Sequence, residues 1–581
     1  MGSLVKLYRF VRPYWALATI GPLLMLLEVV MDLLQPRLMQ RIVDVGIAQL
    51  DMAVVVQTGL LMIGVAFIGA LGGSGNTLFS VRVSQAVGAD LRSALFAKVQ
   101  SFSFGNLDKL ETGNLITRLT NDVTQIQEVI LILLRIMIRV PLMLVGSLVM
   151  AVLTAPRLAL LLLILGPVVI ALTLVVISKA HPLFLQVQQR LDAINTVMQE
   201  NLAGVRVVKA FVRAHHEEAR FRTANERLMD TTIDAARLMA VVMPFMMLTL
   251  NFGIVAVLWF GGRQVVQGSM KIGQLMAFIN YLLTVLRELL MVGMLLTRVS
   301  RAQASADRIV EVLESEPEIV DRPDALKRPL KRGHIAFESV TFGYDGATNL
   351  PVLRNVTFEA EPGQMVAILG ATGSGKSSLI HLLPRFYDVR QGRVLLDGID
   401  VRDIAQDALH HSISIALQEP ILFSGTIRDN IRYGRPDATE EEIIAAAKAA
   451  QAHDFICEFP EGYDTLVGQR GVNLSGGQKQ RLAIARALLV KPTVLILDDS
   501  TSSVDVETEA KIQEALVKEM AGRTSLIVAQ RVSTVLNADK ILVLDDGEIA
   551  AEGTHEELLT TSPIYREIYE SQLGDGVSMY G

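Results

Sequence analysis

The run Gly370-Ala371-Thr372-Gly373-Ser374-Gly375-Lys376-Ser377 has the chemistry of a phosphate cradle. It fits G-x-x-x-x-G-K-[ST], follows the apolar stretch Met365–Leu369 and leads into helix-forming residues from Ser378. Its glycines let backbone N–H groups wrap phosphate oxygens, and the helix that follows points its positive end at them. Lys376 is placed to reach the β- and γ-phosphates, and Ser377 to ligate Mg²⁺. Farther along, Val494-Leu495-Ile496-Leu497-Asp498 is an apolar strand ending in a carboxylate. Asp498 can hold the same Mg²⁺ from the side opposite Ser377. Between the two lies Leu474-Ser475-Gly476-Gly477-Gln478-Lys479-Gln480-Arg481, the most specific string in the chain.

These residues need a scaffold. From Gly333 onward short apolar strands alternate with helices: Met365–Leu369, Thr493–Leu497, Ser525–Ala529 and Lys540–Leu544 read as strands. The pattern predicts an α/β domain with a largely parallel sheet over 333–571, followed by a tail at 572–581. A charged, proline-containing linker at 301–332 precedes it, opening on the helical Gln303–Val312.

The first 300 residues are a different material. The chain has 581 residues, 51% apolar and only 20% charged, and the apolar excess sits almost entirely in this half. From Val129 to Ser178 only Arg135, Arg139 and Arg157 carry charge. Six stretches, near 14–36, 54–78, 129–154, 157–178, 238–260 and 272–297, are long and apolar enough to cross a bilayer. Basic residues gather at Lys6, Arg9 and Arg12, between the second and third stretches, and between the fourth and fifth. That bias puts both termini in the cytoplasm. Val81–Val99 and Gln186–Met229 keep helical spacing, so the spanning helices are expected to continue well into the cytosol. Tyr14–Leu34 is too long for a signal-peptide core. The composition excludes disorder, and a net charge of −6 gives no case for a nucleic-acid binder. Cys457 is the only cysteine, so no intramolecular disulfide forms.

The phosphate loop, Leu-Ser-Gly-Gly-Gln and the strand-terminal Asp498, in that order, resemble the nucleotide-binding domain of ATP-binding cassette (ABC) proteins. With six spans in front, nearly the whole chain resembles an ABC exporter half-transporter of a bacterial plasma membrane. The fold implied is an N-terminal all-α membrane domain of six transmembrane helices with long cytosolic extensions, and a C-terminal α/β P-loop ABC domain. The ligands implied are ATP and Mg²⁺. The resemblance matches Tyr344 to the aromatic that stacks on adenine, and Gln418 to the glutamine that contacts Mg²⁺ and senses the membrane domain. It matches Asp505 to the D-loop aspartate, and Gly113–Asp122 and Val205–Ala210 to the coupling helices. It also implies that nucleotide domains pair head to tail, with Ser475, Gly476, Gly477 and Gln478 facing the partner's ATP.

Three positions depart from the family. Asp498 is followed by Asp499, where the family usually has the Glu that polarises water. A carboxylate one methylene shorter falls short by about 1.5 Å, and misplacements of that order can lower a rate about 10²-fold. Gln530 stands where the family has His; an amide can hydrogen-bond but cannot take up a proton. Gln469 stands where Glu is more frequent. The chain therefore resembles the degenerate-site subunit of bacterial heterodimeric multidrug exporters. This implies a site that hydrolyses slowly, a partner half-transporter with Glu and His, and a hydrophobic or amphiphilic small-molecule cargo. A homodimer working through Asp499 and a non-pumping, ATP-gated channel subunit are the competing readings. Within the spans, Glu28 and Asp32 share a helix face, as do Arg135 and Arg139. Mutual ion pairing and an acidic lining for cationic substrates are both open to them.

Overall fold

The computed structural model describes residues 2–110, 112–344, 350–501, 504 and 506–577. Two compact units emerge, one of Met1–Gln100 with Gly113–Ser315, the other of Ser101–Thr112 with Glu316–Gly581.

The first unit is helical throughout. Its long members are Trp15–Arg41, Met52–Gln100, Val123–Thr154, Leu162–Ala203, Ala214–Val266 and Ile272–Glu314. Pro22, Pro36, Pro141, Pro167, Pro182 and Pro244 all lie inside helices. In the spanning stretches lipid offers the backbone no alternative hydrogen-bond partner, so the helix persists around proline. Among the described residues five stretches are long and apolar enough to cross a membrane: Gly2–Ile47, Met52–Gln100, Thr112–Thr154, Pro156–Ala203 and Ala214–Val266. The expected sixth, Ile272–Glu314, is a helix but does not meet that measure. In its described part Gln274, Asn280, Arg287 and Glu288 dilute the apolar run.

Close helix packing depends on glycine at two positions. A Cβ on Gly72 would lie 2.9 Å from the Leu24 carbonyl oxygen, and one on Gly73 would lie 2.7 Å from Glu28 Oε2. The helix Trp15–Arg41 thus sits against Met52–Gln100 more closely than any side chain would allow. At its far end it turns through Ile42–Ile47, which carries the buried Asp44. Asp44 Oδ1 accepts the Gly273 N–H at 2.6 Å, capping the start of Ile272–Glu314.

The second unit carries the sheets. Across the larger one the order is Glu548–Gly553, Lys540–Asp545, Met365–Leu369, Thr524–Val528, Val494–Asp498 and Ile413–Ala416. All neighbours are parallel except the first pair. Every residue of Val494–Asp498 and Thr524–Val528 is buried, as a parallel sheet covered on both faces requires. A four-stranded antiparallel sheet holds Ile335–Phe342 and Leu353–Ala360, with inward residues alternating along the latter.

A short helix, Phe104–Leu110, belongs to this unit. Phe104 lies on Phe386 with ring centroids 4.4 Å apart, and the Tyr387 hydroxyl donates to Asp108 Oδ2 at 2.7 Å. Gly113–Asp122, expected as one of the coupling helices, belongs to the helical unit. There the buried Asp122 is ion-paired with Arg308, which ties it to Ile272–Glu314. The other expected element, Val205–Ala210, is a short helix with no buried residue.

Asp44→Ala should remove the cap of Ile272–Glu314 and destabilise the helical unit by about 1–2 kcal/mol. Asp44→Asn, which keeps an accepting oxygen, should retain most of that stability. Thermal unfolding of the purified variants in detergent checks this; equal midpoints for both would contradict it.

Candidate functional site

The parallel register lines up the site. Ile368 pairs with Val528, and Val528 with Asp498, so three strands end in one row. The fourth, Ile413–Ala416, pairs Ala416 with Leu497. Just beyond the row come the phosphate loop, Gln530, Asp499 and Gln418, from successive strand ends. Ligands of parallel sheets bind beyond these carboxyl ends.

Two glycines hold the loop open. A Cβ on Gly370 would lie 2.2 Å from the Leu544 carbonyl oxygen, and Gly375 has φ +101° with a Cβ position 2.8 Å from Leu353. The helix Lys376–Leu382 starts from that left-handed Gly375. Lys376 Nζ donates to the Gly370 and Ala371 carbonyls at 2.8 Å each. Burial lowers its pKa, while Asp499 and Asp498 pull the other way. Ser377 Oγ donates to Asp498 Oδ1 at 3.1 Å. Burial raises the pKa of Asp498 against the opposing effects of Ser377 and Lys376. A buried carboxylate beside a hydroxyl is a donor set of hard oxygens, and it fits Mg²⁺. Bound there, the ion would supply charge to offset the phosphates. His381 Nε2 lies 3.9 Å from Asp498 Oδ2, and burial lowers its pKa, which disfavours its charged form.

Asp499 is the centre of the arrangement. It is buried with φ +46°, and its N–H donates to the Val528 carbonyl at 3.0 Å. One oxygen, Oδ2, accepts from both Gln530 Nε2 at 2.8 Å and Gln418 Nε2 at 3.2 Å. A cavity of about 320 Å³ is lined by Thr372, Gly373, Gly375, Lys376, Ser377, Ser378, Gln418, Asp498, Asp499 and Gln530, with Val352 and Val528. Gly370 and Ser374 belong to the same loop, and Ser374 is buried beneath it.

Tyr344 stands to one side. Its hydroxyl is 3.0 Å from Ser378 Oγ, and its ring meets Tyr387 edge-on at 5.1 Å. It keeps 40% of its surface exposed, enough to offer a ring face to a base.

The signature residues do not line this cavity. Ser475 caps the helix Gly476–Leu489, and Ser475 and Gly476 are exposed. Gln478 Oε1 accepts the Ser475 N–H at 2.9 Å, so this side chain completes a capping box in its own helix. The Ser475 hydroxyl in turn accepts the Gln478 N–H at 3.3 Å. Gln469 is exposed and outside the cavity. Asp505 lies outside the described residues.

The chain was compared with known proteins. The family model of the ABC transporter transmembrane region matches residues 19–289, and the ABC transporter model matches 353–502. The chain is 45% identical over 569 residues, 98% of each chain, to the uncharacterized ABC transporter ATP-binding protein YfiB of Bacillus subtilis (strain 168). The chain belongs to the ABC transporter family. It is 38% identical over 490 residues, 84% of this chain and 81% of the other, to the ATP-dependent lipid A-core flippase of Syntrophus aciditrophicus (strain SB). A solved structure of a bacterial Atm1-family ABC exporter with ATP bound is similar over 97% of this chain and 98% of that one, with TM-score 0.78 and 28% identity. The chain thus has the build of an ABC exporter half, a multi-pass membrane domain joined to an ATP-binding domain.

This transporter also contains a clamp that spacing alone did not indicate. Glu509, buried, accepts from Thr501 at 2.9 Å and Thr534 at 2.7 Å and pairs with Arg531 at 3.1 Å. Gln572, in the last helix, donates to the Gln530 carbonyl and accepts the Val532 N–H, each at 2.8 Å. Together they hold the backbone that aims Gln530 at Asp499. The contributing residues are scattered over the chain, so no local motif signals them.

Gln572→Ala should speed hydrogen exchange at the Val532 amide by about 2- to 13-fold, the worth of one hydrogen bond. Gln572→Glu keeps the accepting oxygen and should leave Val532 protected. Exchange mass spectrometry on peptides spanning 530–534 reads both.

Proposed function

We propose that this chain is the degenerate-site subunit of a heterodimeric ABC exporter for hydrophobic or amphiphilic small molecules, drugs or lipids. It binds ATP with Mg²⁺ between Lys376, Ser377 and Asp498 and hydrolyses it slowly. Its Ser475–Gly477 segment, exposed at Ser475 and Gly476, completes the hydrolytic site of the partner chain. The membrane domain has six spans, Ile272–Glu314 being the sixth. Both termini and the nucleotide domain face the cytoplasm.

The observation that carries the reading is the pair of amides on Asp499 Oδ2. A general base must have an oxygen free to take a proton from the attacking water. Here the short carboxylate has one oxygen already held by two N–H donors, which compete with an attacking water for its lone pairs. Gln530, unlike His, cannot share a proton. ATP can be cradled without a water being activated efficiently. A homodimer would then have two such sites, which is why a second chain with Glu and His is inferred.

The tip of the helical unit supports a partner. Leu202, Phe211 and Val212 around Val205–Ala210 are 69%, 73% and 85% exposed. An apolar tip of that kind fits an interaction site for another chain. The likeness to a lipid A-core flippase supports an amphiphilic cargo.

Asp499→Glu with Gln530→His should raise ATP turnover of the purified chain by about 10²-fold. Steady-state phosphate release in nanodiscs is the readout. Brisk turnover by the unaltered chain without a partner would sink the degenerate-site reading.

A further inference from the structure

The wide turn that ends Trp15–Arg41 carries a buried acid with no basic partner. Asp44 is 8% exposed, and its Oδ1 accepts the Gly273 N–H at 2.6 Å. Its other oxygen, Oδ2, is buried and has no hydrogen-bond partner among the described residues. No described lysine or arginine is ion-paired with this carboxylate. Arg41, the basic residue nearest to Asp44 in the chain, and Lys271, the one nearest to Gly273, are both exposed. One turn back, Gln40 Oε1 is a second buried oxygen without a partner. Residues four apart on a helix share a face, so both side chains leave this end on the same side.

The backbone adds oxygens to the pair. Ile42–Ile47 is wound wider than an α-helix. The Ala48 N–H donates to the Val43 carbonyl at 3.1 Å and the Asp51 N–H to the Gly46 carbonyl at 2.8 Å, each five residues back. Helix ends of this kind carry partial negative charge and favour a cation. A Cβ on Gly273 would lie 2.6 Å from the Gln40 carbonyl oxygen and 2.7 Å from Asp44 Oδ1. Only glycine lets the start of Ile272–Glu314 come so close to these oxygens, and it donates to one of them alone.

A buried carboxylate oxygen with no donor is expensive to keep. One carboxylate beside an amide oxygen and helix-end carbonyls is a set of hard donors carrying a single negative charge. Calcium takes about six to eight oxygens and would be left with excess charge here. Sodium is neutralised by one carboxylate and is held in membrane proteins by carbonyls at interrupted helix ends. We propose that Asp44 and Gln40 hold a sodium ion that joins the end of Trp15–Arg41 to the start of Ile272–Glu314. The ion neutralises Asp44 and stiffens the joint between the two helices. The inference is independent of how the ATP site turns over.

The test is thermal unfolding of the full-length chain in nanodiscs, with sodium chloride exchanged for choline chloride at constant ionic strength. Sodium should raise the midpoint saturably, by about 2–4 °C. It should also slow hydrogen exchange in peptides spanning 40–48 and 271–276. Asp44→Asn and Gln40→Leu should each abolish the sodium response. In choline, where the capping comparison above is read, Asp44→Asn should unfold no lower than the unaltered chain. Gln40→Leu leaves the cap intact and serves if Asp44→Asn does not fold. Equal midpoints in sodium and choline would overturn the proposal, as would an undiminished sodium shift in the variants. A response to calcium chloride but not to sodium would overturn the choice of ion. A midpoint that rises with acid and ignores sodium would show a proton bridging the two oxygens, and would overturn it too.

Discussion

Three parallel strands end in one row, a fourth stops one residue short of it, and the groups that would handle a triphosphate hang from these ends. The register pairing Ile368, Val528 and Asp498 fixes how far the phosphate loop, Gln530 and Asp499 reach. Because a strand rises about 3.3 Å per residue, a slip by one position would separate these groups by more than a hydrogen bond. It would also turn every side chain to the other face. The two fully buried strands make such a slip costly. Site geometry in this ABC transporter is therefore a consequence of core packing.

On that row Asp499 stands where the family usually has Glu. Asp499 cannot extend as Glu would, and it settles against the two nearest amides, those of Gln418 and Gln530. The switch segment that carries Gln530 is itself held at both ends. Glu509 takes the side chains of Arg531 and Thr534, and Gln572 takes the backbone on either side of Arg531. Ser475, meanwhile, caps its helix, and it and Gly476 are exposed, outside the cavity around Asp499.

The parts of this that depend on local spacing were readable beforehand. The phosphate loop, the apolar strand before Asp498 and the long helices all repeat or cluster within a few residues. Met365–Leu369 and Lys540–Asp545 emerge as strands within a residue of where apolar periodicity puts them. Contacts between distant segments were not readable. Nothing near Gln572 announces that it holds Gln530, and nothing near Asn106 announces that Phe104–Leu110 belongs with the nucleotide unit. Gln478 illustrates a third case. Its motif points it at a partner's ATP, yet its amide is used by its own helix start. In the membrane half the sequence placed Glu28, Asp32 and Arg139 on helix faces but could not show that Glu288 joins them.

The central claim is that this site retains ATP uncleaved. The most direct measurement loads the purified transporter with doubly labelled ATP, removes free nucleotide, and follows the chemical identity of what stays bound at Lys376. Bound nucleotide should remain ATP through many turnovers of any copurifying hydrolytic partner. Conversion of that nucleotide to ADP at the rate of ordinary turnover would contradict the claim.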